Sequence, residues 1–171
     1  LAALSCKAKK FDPFLLILSS DHKIQNKKNF HNVIYKGLEY ANKGKIVTFG
    51  IKPNFSNTNY GYIESEKKIS SKNIASKIKR FIEKPTKEVA QELIKDDHFS
   101  WNSGIFLFKS STIIEQLEKY QPGLIDICEE SLKNNPKDIF FQRINSEIFK
   151  KCPNIAIDKA VMEHTEIGTV I

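Results

Sequence analysis

The chain has 171 residues, 40% of them apolar, and a formal net charge of +7. That length suits one domain with a real hydrophobic core, and without an apolar run near the roughly 18 to 20 residues of a membrane span or a signal-peptide opening it reads as a soluble, cytoplasmic protein. Cys6, Cys128 and Cys152 are odd in number and share no metal-ligand spacing, which argues against a disulfide framework or a zinc site and suits a reducing compartment.

The positive charge suggests an anionic partner, but nearly all of it is lysine, with Arg80 and Arg143 as the two arginines. Base reading and phosphate forks favour arginine. Abundant Lys, Asn and Ile look more like the codon bias of an A/T-rich genome than a binding surface. A basic nucleic-acid-binding module is kept as the reading from a different class, and it expects strongly salt-dependent binding. No two glycines lie close enough for a GxG or glycine-rich lysine loop, so no segment here can wrap a pyrophosphate in backbone amides.

Leu1 to Lys10 have the composition of a helix end, broken by Asp12-Pro13. Phe14 to Ser20 is a continuous apolar run, which predicts a strand covered on both faces in a parallel sheet, with Asp21 just past its carboxyl end. Phe30, Val33, Ile34, Leu38 and Ala41 recur at helical spacing, with Asn26 as cap and Gly44 as stop. Lys45 to Ile51 predicts a second buried strand, so that strand, helix and strand make a crossover unit. Lys52 to Asn59 is turn-rich, YGYIE a short strand, and Ile74 to Lys84 another, with Ile74, Ile78 and Ile82 on one face.

Thr86 caps a helix carrying Val89, Ala90, Leu93 and Ile94. Ile105 to Lys109 is a third apolar strand, followed by a helix that Ser111 caps. Gly123 to Phe149 reads as helical, with Leu124, Ile127, Cys128 and Leu132 as its stripe and Pro136 as an interruption. Ile167 to Ile171 begin a further strand.

In open α/β sheets ligands bind beyond the carboxyl ends of strands. Asp21, Glu83 with Lys84, and Asn102 just before a strand are the polar candidates there. Asp21 suits Mg²⁺, a hard ion that takes one or two carboxylates plus substrate phosphates, or it merely starts a turn. His22 is the poorer ligand for such an ion. Neighbours on a strand point to opposite faces, so Glu83 and Lys84 serve one ligand only if the strand ends there. Pro85, with no amide for the ladder, supplies that ending and pushes Lys84 toward extended or turn geometry. A carboxylate accepts two hydroxyl donors and an ammonium neutralises a phosphate, which together suit a sugar phosphate. Taken alone, the tripeptide reads as readily as a solvated ion pair.

Asn102 can donate and accept toward a hydroxyl, and Gly104 lets backbone approach a ligand closely. The alternative makes Trp101 core and Asn102 with Gly104 a turn. Gly61, between Tyr60 and Tyr62, is a close-approach point or a strand irregularity.

In order, LILSSDH, VTFGIKPNFSNTNYGYIE, RFIEKPT, WNSGIFLF and IDKAVMEHT resemble the middle of the bacterial mannose-1-phosphate guanylyltransferases, or GDP-mannose pyrophosphorylases, through essentially the whole chain. The resemblance implies an α/β fold: a Rossmann-like nucleotidyltransferase domain with a mostly parallel mixed sheet, truncated at both ends, of which residues 1–171 are the sugar-binding portion of a single domain. It implies a cytoplasmic enzyme that joins mannose 1-phosphate to GTP with Mg²⁺, releases pyrophosphate and supplies GDP-mannose for polysaccharide biosynthesis. It leaves room for a homo-oligomer.

By the same resemblance Asp21 is the metal-binding aspartate and, with Lys84, catalytic. Gly61 lies against the sugar, Glu83 holds its hydroxyls, Lys84 meets its phosphate, and Asn102 and Gly104 line the sugar pocket. The family's glycine-rich run ending in Arg-Leu-Trp-Pro-Leu, and a later metal-binding Asp, fall outside the chain, so the chain alone is expected to be inactive. Asn59 and Lys159 depart from the family pattern and carry no role. A pyrophosphorylase for another hexose 1-phosphate is the alternative within the class.

Overall fold

A computed structural model of the chain describes residues 1–133 and 138–171. The sequence predicts one domain, and the chain packs as two compact units. The first comprises Leu1–Pro13 with Ser110–His164, the second Phe14–Lys109 with Thr165–Ile171.

The second unit is built on a six-stranded sheet of β1 (Phe14–Ile17), β2 (Ile46–Ile51), β3 (Gly61–Ser65), β4 (Ser76–Glu83), β5 (Phe99–Lys109) and β6 (Gly168–Val170). The strand order is β1-β5-β2-β6-β4-β3, and β3 pairs again with β5. The pairings β5–β2–β6–β4–β3–β5 therefore form a closed circuit, with β1 outside it.

This corrects the expectation of a mostly parallel sheet. Among the described residues only β2 and β6 pair in parallel, and the other ladders are antiparallel. Helices and strands mix as expected of an α/β fold, but β1 and β2 are not neighbours: β5 runs between them in the opposite direction. An apolar run reports that a strand meets apolar partners and carries no sign for the direction of its neighbour.

The same limit explains β1. Among the described residues it is paired on one side alone, and Phe14, Leu16, Ile17 and Leu18 are exposed rather than covered on both faces. In β4 the predicted alternation slips: Glu64 pairs with Arg80 but Ser65 with Ile78, a bulge that leaves Lys79 and Arg80 both exposed and turns Phe81 inward.

Two helices pack on this sheet. The helix α2 (Lys27–Asn42) is capped as predicted, the Asn29 amide donating to Asn26 Oδ1 at 2.9 Å, and the chain turns away at Gly44 with φ +72°. Its apolar stripe meets Val47, Phe49, Ile105 and Leu107. The helix α3 (Lys87–Leu93), capped by Thr86, sets Ala90 and Leu93 against Tyr62, Phe99 and Trp101.

The first unit gathers α1 (Ala2–Ala8), α4 (Ser110–Tyr120), α5 (Leu124–Leu132), α6 (Ser146–Phe149) and a π-type turn at Asp158–Met162. Leu4, Ile114, Ile125 and Cys128 form its core. The predicted cap of α4 is corrected: Asp12 takes the role, one carboxylate oxygen accepting from the Ser111 amide at 2.8 Å and the other from the Ser111 hydroxyl at 2.9 Å. The helical reading of Gly123 to Phe149 holds for α5 and α6, with non-helical chain from Asp138 to Arg143 between them. The predicted interruption at Pro136 lies outside the described residues.

Candidate functional site

Ladder partners stand on the same face of a sheet. Gly61 of β3 is paired with Glu83 of β4, and Gly50 of β2 with Asn102 of β5. Between them, β3 and β5 are paired as far as Tyr62–Trp101, and continuing that register by one residue brings Gly61 opposite Asn102. Glu83, Gly61, Asn102 and Gly50 thus form one row across four strands.

Adjacent strands lie about 4.8 Å apart, so Glu83 and Asn102 flank a gap one side chain wide that Gly61 leaves open. The Glu83 carboxylate leans into it. A Cβ added to Gly61 would lie 2.6 Å from Glu83 Oε2 and 3.1 Å from Phe81 Cζ. What the packing requires of Gly61 is room for the Glu83 and Phe81 side chains of the neighbouring strand.

Lys84 follows directly, at the end of β4. Its backbone takes φ +47°, one of two non-glycine residues with positive φ among those described, a conformation that costs an ordinary residue about 1 kcal/mol or more. Of the extended and turned geometries left open by Pro85, the chain takes the turn. The turn rescues the pair from opposite faces: Lys84 Nζ lies 3.6 Å from Glu83 Oε1. The carboxylate is 21% exposed and the lysine 66% exposed, so the ammonium remains open to an anion from solvent.

Asn102 is not placed before a strand as predicted but inside β5. Between Thr48 and Gly50 of β2 the ladder advances from Phe106 to Asn102, so β5 carries two extra residues there. This bulge contains Ser103 and Gly104, the latter at φ +70°. Gly104 is required by that backbone conformation, since the nearest atom to an added Cβ, Ser19 Oγ, is 3.9 Å away. Asn102 Oδ1 accepts from the Thr48 hydroxyl at 3.0 Å and from the Gly104 amide at 3.2 Å. Thr48 is fully buried. Sequence reasoning missed it, although a hydroxyl inside the apolar run IVTFGI was the available signal.

Beside the row, Tyr62 is fully buried and its hydroxyl both accepts from the Asn57 amide and donates to the Asn57 carbonyl, each at 3.0 Å. This pins the turn-rich Lys52–Asn59 segment. Trp101 is core, as the alternative reading had it, with the rings of Phe55 and Tyr60 edge-on to it at 4.9 and 5.1 Å. Its indole Nε1 is buried without a hydrogen-bond partner among the described residues.

Asp21 is not a member of the row. It lies exposed in the turn after β1. Among the described residues no three His, Cys, Asp or Glu side chains converge on a common point. A single open carboxylate has the oxygen chemistry for a hard divalent ion shared with substrate phosphates, and it does not build a protein cage for one.

Among the described residues no helix is long and apolar enough to cross a membrane. The family model for nucleotidyl transferase matches residues 1–147. The mannose-1-phosphate guanylyltransferase of Escherichia coli is 38% identical over 174 residues, covering 99% of this chain and 38% of that protein. The mannose-1-phosphate guanylyltransferase RfbM of Salmonella typhimurium is 41% identical over 160 residues, covering 94% of this chain and 33% of its own length. The chain therefore spans little more than a third of the curated relatives it matches.

A Helicobacter pylori structure described as a mannose-6-phosphate isomerase superposes with a TM-score of 0.84 at 30% identity, over 99% of this chain and 65% of that one. One described as a mannose-1-phosphate geranyltransferase from Thermus thermophilus gives 0.82 at 26%, over 99% and 47%. Different activity names on one shape establish the fold rather than the reaction. With a family model matched over most of its length, the chain belongs to the nucleotidyl transferase family.

Proposed function

We propose that the chain is the sugar-phosphate-binding portion of a single nucleotidyltransferase domain in a mannose-1-phosphate guanylyltransferase. The observation that carries the proposal is the row Glu83–Gly61–Asn102 with the Lys84 ammonium beside it. Glu83 accepts hydrogen bonds from sugar hydroxyls, Gly61 leaves the room in which the Glu83 carboxylate sits beside the sugar, Asn102 and the Gly104 bulge form the far wall, and Lys84 meets the phosphate as a point charge. The identity to proteins named for this activity supports mannose as the sugar and GTP as the nucleotide.

In the reaction a phosphate oxygen of mannose 1-phosphate attacks the α-phosphorus of GTP. The new P–O bond forms as the bond to pyrophosphate breaks, giving GDP-mannose. Little of this needs a protein nucleophile; positioning and charge neutralisation carry it. Lys84 lowers the repulsion between the two phosphorylated substrates, while Glu83 and Asn102 fix the sugar so that its phosphate points at the nucleotide. Members of the family generally use a divalent metal. Mg²⁺, for which Asp21 is the residue of this chain that would serve as ligand, supplies neutralisation of phosphate charge. A relative named for xanthan biosynthesis, 38% identical, supports a place in polysaccharide biosynthesis, and the supply of GTP supports the cytoplasm as the compartment.

The nucleic-acid-binding alternative is disfavoured by the way the basic residues are used. Lys7, Lys68, Lys79, Arg80, Lys95, Lys133 and Lys150, from both units, all pair with acids.

The test is pyrophosphate release by the full-length polypeptide supplied with GTP and Mg²⁺ and either mannose 1-phosphate or glucose 1-phosphate. Mannose 1-phosphate is expected to be the better substrate, and Glu83→Gln to lower its kcat/KM by about 100-fold, the loss of a charged hydrogen bond or two. Equal or better use of glucose 1-phosphate would move the assignment to another hexose. Salt-dependent nucleic-acid binding with no pyrophosphate release would replace it.

A further inference from the structure

We propose that Thr48 is a positioning residue that fixes the amide of Asn102 in the orientation that reads the sugar. The inference rests on the functional reading above and adds a residue that touches no substrate.

A carboxamide presents an oxygen on one side and an NH₂ on the other, and only its surroundings decide which way round it sits. Here the decision is forced. The Gly104 amide, 3.2 Å from Asn102, is a donor and cannot accept, so the side of Asn102 turned toward it is the oxygen. The Thr48 hydroxyl lies 3.0 Å from the same oxygen. The Gly104 amide turns the oxygen toward the bulge, and the single Thr48 proton, shared between Asn102 Oδ1 and the Ile105 carbonyl, steadies it there.

The polarity of Thr48 is spent on β5 alone. It is fully buried in the run IVTFGI, beside Val47 and Phe49 of the core. Valine has the same shape, so the hydroxyl is the one feature that threonine adds. A hydroxyl buried there is costly unless it donates, and the acceptors in reach are Asn102 Oδ1 and the Ile105 carbonyl at 3.1 Å. Both belong to β5, one on each side of Ser103 and Gly104. The hydroxyl is therefore the clasp across the bulge that sets the sugar wall. The ligand class is an oxygen acceptor on the sugar ring, a hydroxyl or the ring oxygen.

The experiment compares Thr48→Val, Thr48→Ser and Asn102→Asp in the full-length polypeptide, reading KM for each substrate, kcat and Tm. Thr48→Val is expected to raise KM for mannose 1-phosphate about tenfold, the worth of one good hydrogen bond, with kcat and the KM for GTP within about twofold of wild type. Thr48→Ser restores the sugar KM. Asn102→Asp keeps an acceptor for both donors but has no NH₂, so it is expected to lose sugar binding; this arm stands even if Thr48→Val fails to fold.

An unchanged sugar KM in Thr48→Val overturns the proposal, as does equal impairment by serine and valine, a parallel fall in kcat, GTP binding and Tm, or normal sugar binding by Asn102→Asp. A wild-type protein that uses no hexose 1-phosphate overturns the functional reading and the proposal together. A wild type that does so alongside an unaffected Thr48→Val overturns the proposal alone.

Discussion

Gly61 and Glu83 face each other across β3 and β4, and the space that a Gly61 Cβ would need is occupied by the Glu83 carboxylate, 2.6 Å away. Gly61→Ala therefore forces Glu83 to swing out of the notch. Because the atom in the way is the end of a flexible side chain, the fold survives with a loss of about 1 to 2 kcal/mol, some of it from the contact with Phe81. The sugar-phosphate KM is expected to rise at least tenfold. Steady-state kinetics paired with urea unfolding would check both halves, and an alanine variant with a normal KM would remove Gly61 from the site.

Lys84 combines a needed charge with an unfavourable backbone, φ +47°. Lys84→Gly removes both, so stability is expected to hold or to rise by up to about 1 kcal/mol while use of the sugar phosphate falls by about 100-fold. Lys84→Asn, which tolerates the left-handed region better than most residues, separates the two effects: it keeps the turn and loses the charge. Activity close to wild type in the asparagine variant would show that the turn alone matters and the ammonium does not.

Tyr62 holds Asn57 through two hydrogen bonds from one hydroxyl. Tyr62→Phe keeps the buried ring and frees the segment from Lys52 to Asn59, at a cost of about 1 to 2 kcal/mol. Amide hydrogen exchange at Asn57 should quicken more than exchange in the core strands. Uniform acceleration across the sheet would instead mean a global loss of stability.

Glu64 is clasped by both basic residues of the β4 bulge, Lys79 at 2.6 Å and Arg80 at 3.0 Å. The hydrogen bond from Lys79 holds its carboxyl below the usual carboxylate range, against the opposing effect of burial. Since the folded-state value is the lower one, the stabilisation is fully present above the unfolded value of about 4.3 and is lost as pH falls below it through the folded value. Glu64→Gln should cost about 1 kcal/mol at pH 7, with a gap to wild type that shrinks by pH 3. Denaturant midpoints at the two pH values would reveal a constant gap if the charge plays no part.

The helices and strands were largely legible because each is a local pattern. The cap of α2, the stop at Gly44 and the cap of α3 follow from residues a few positions apart. Asp12 was missed as the cap of α4 because it lies 99 positions from Ser111 in the chain. The bulges in β4 and β5 were missed because they are mismatches between two strands, and neither strand holds both halves of a mismatch. The apolar run at Phe14 gave its element but overstated its burial.

The sequence by itself determined which side chains are available and that Pro85 ends a strand beside Glu83 and Lys84. The direction of the sheet, the row that carries Glu83 past Gly61 to Asn102, and the hydroxyl beneath Asn102 were decided by tertiary structure alone. The physical reason is register. Which residues stand opposite one another depends on how far one strand slides along its neighbour before bonding, and a one-residue change in that slide turns every side chain to the other face.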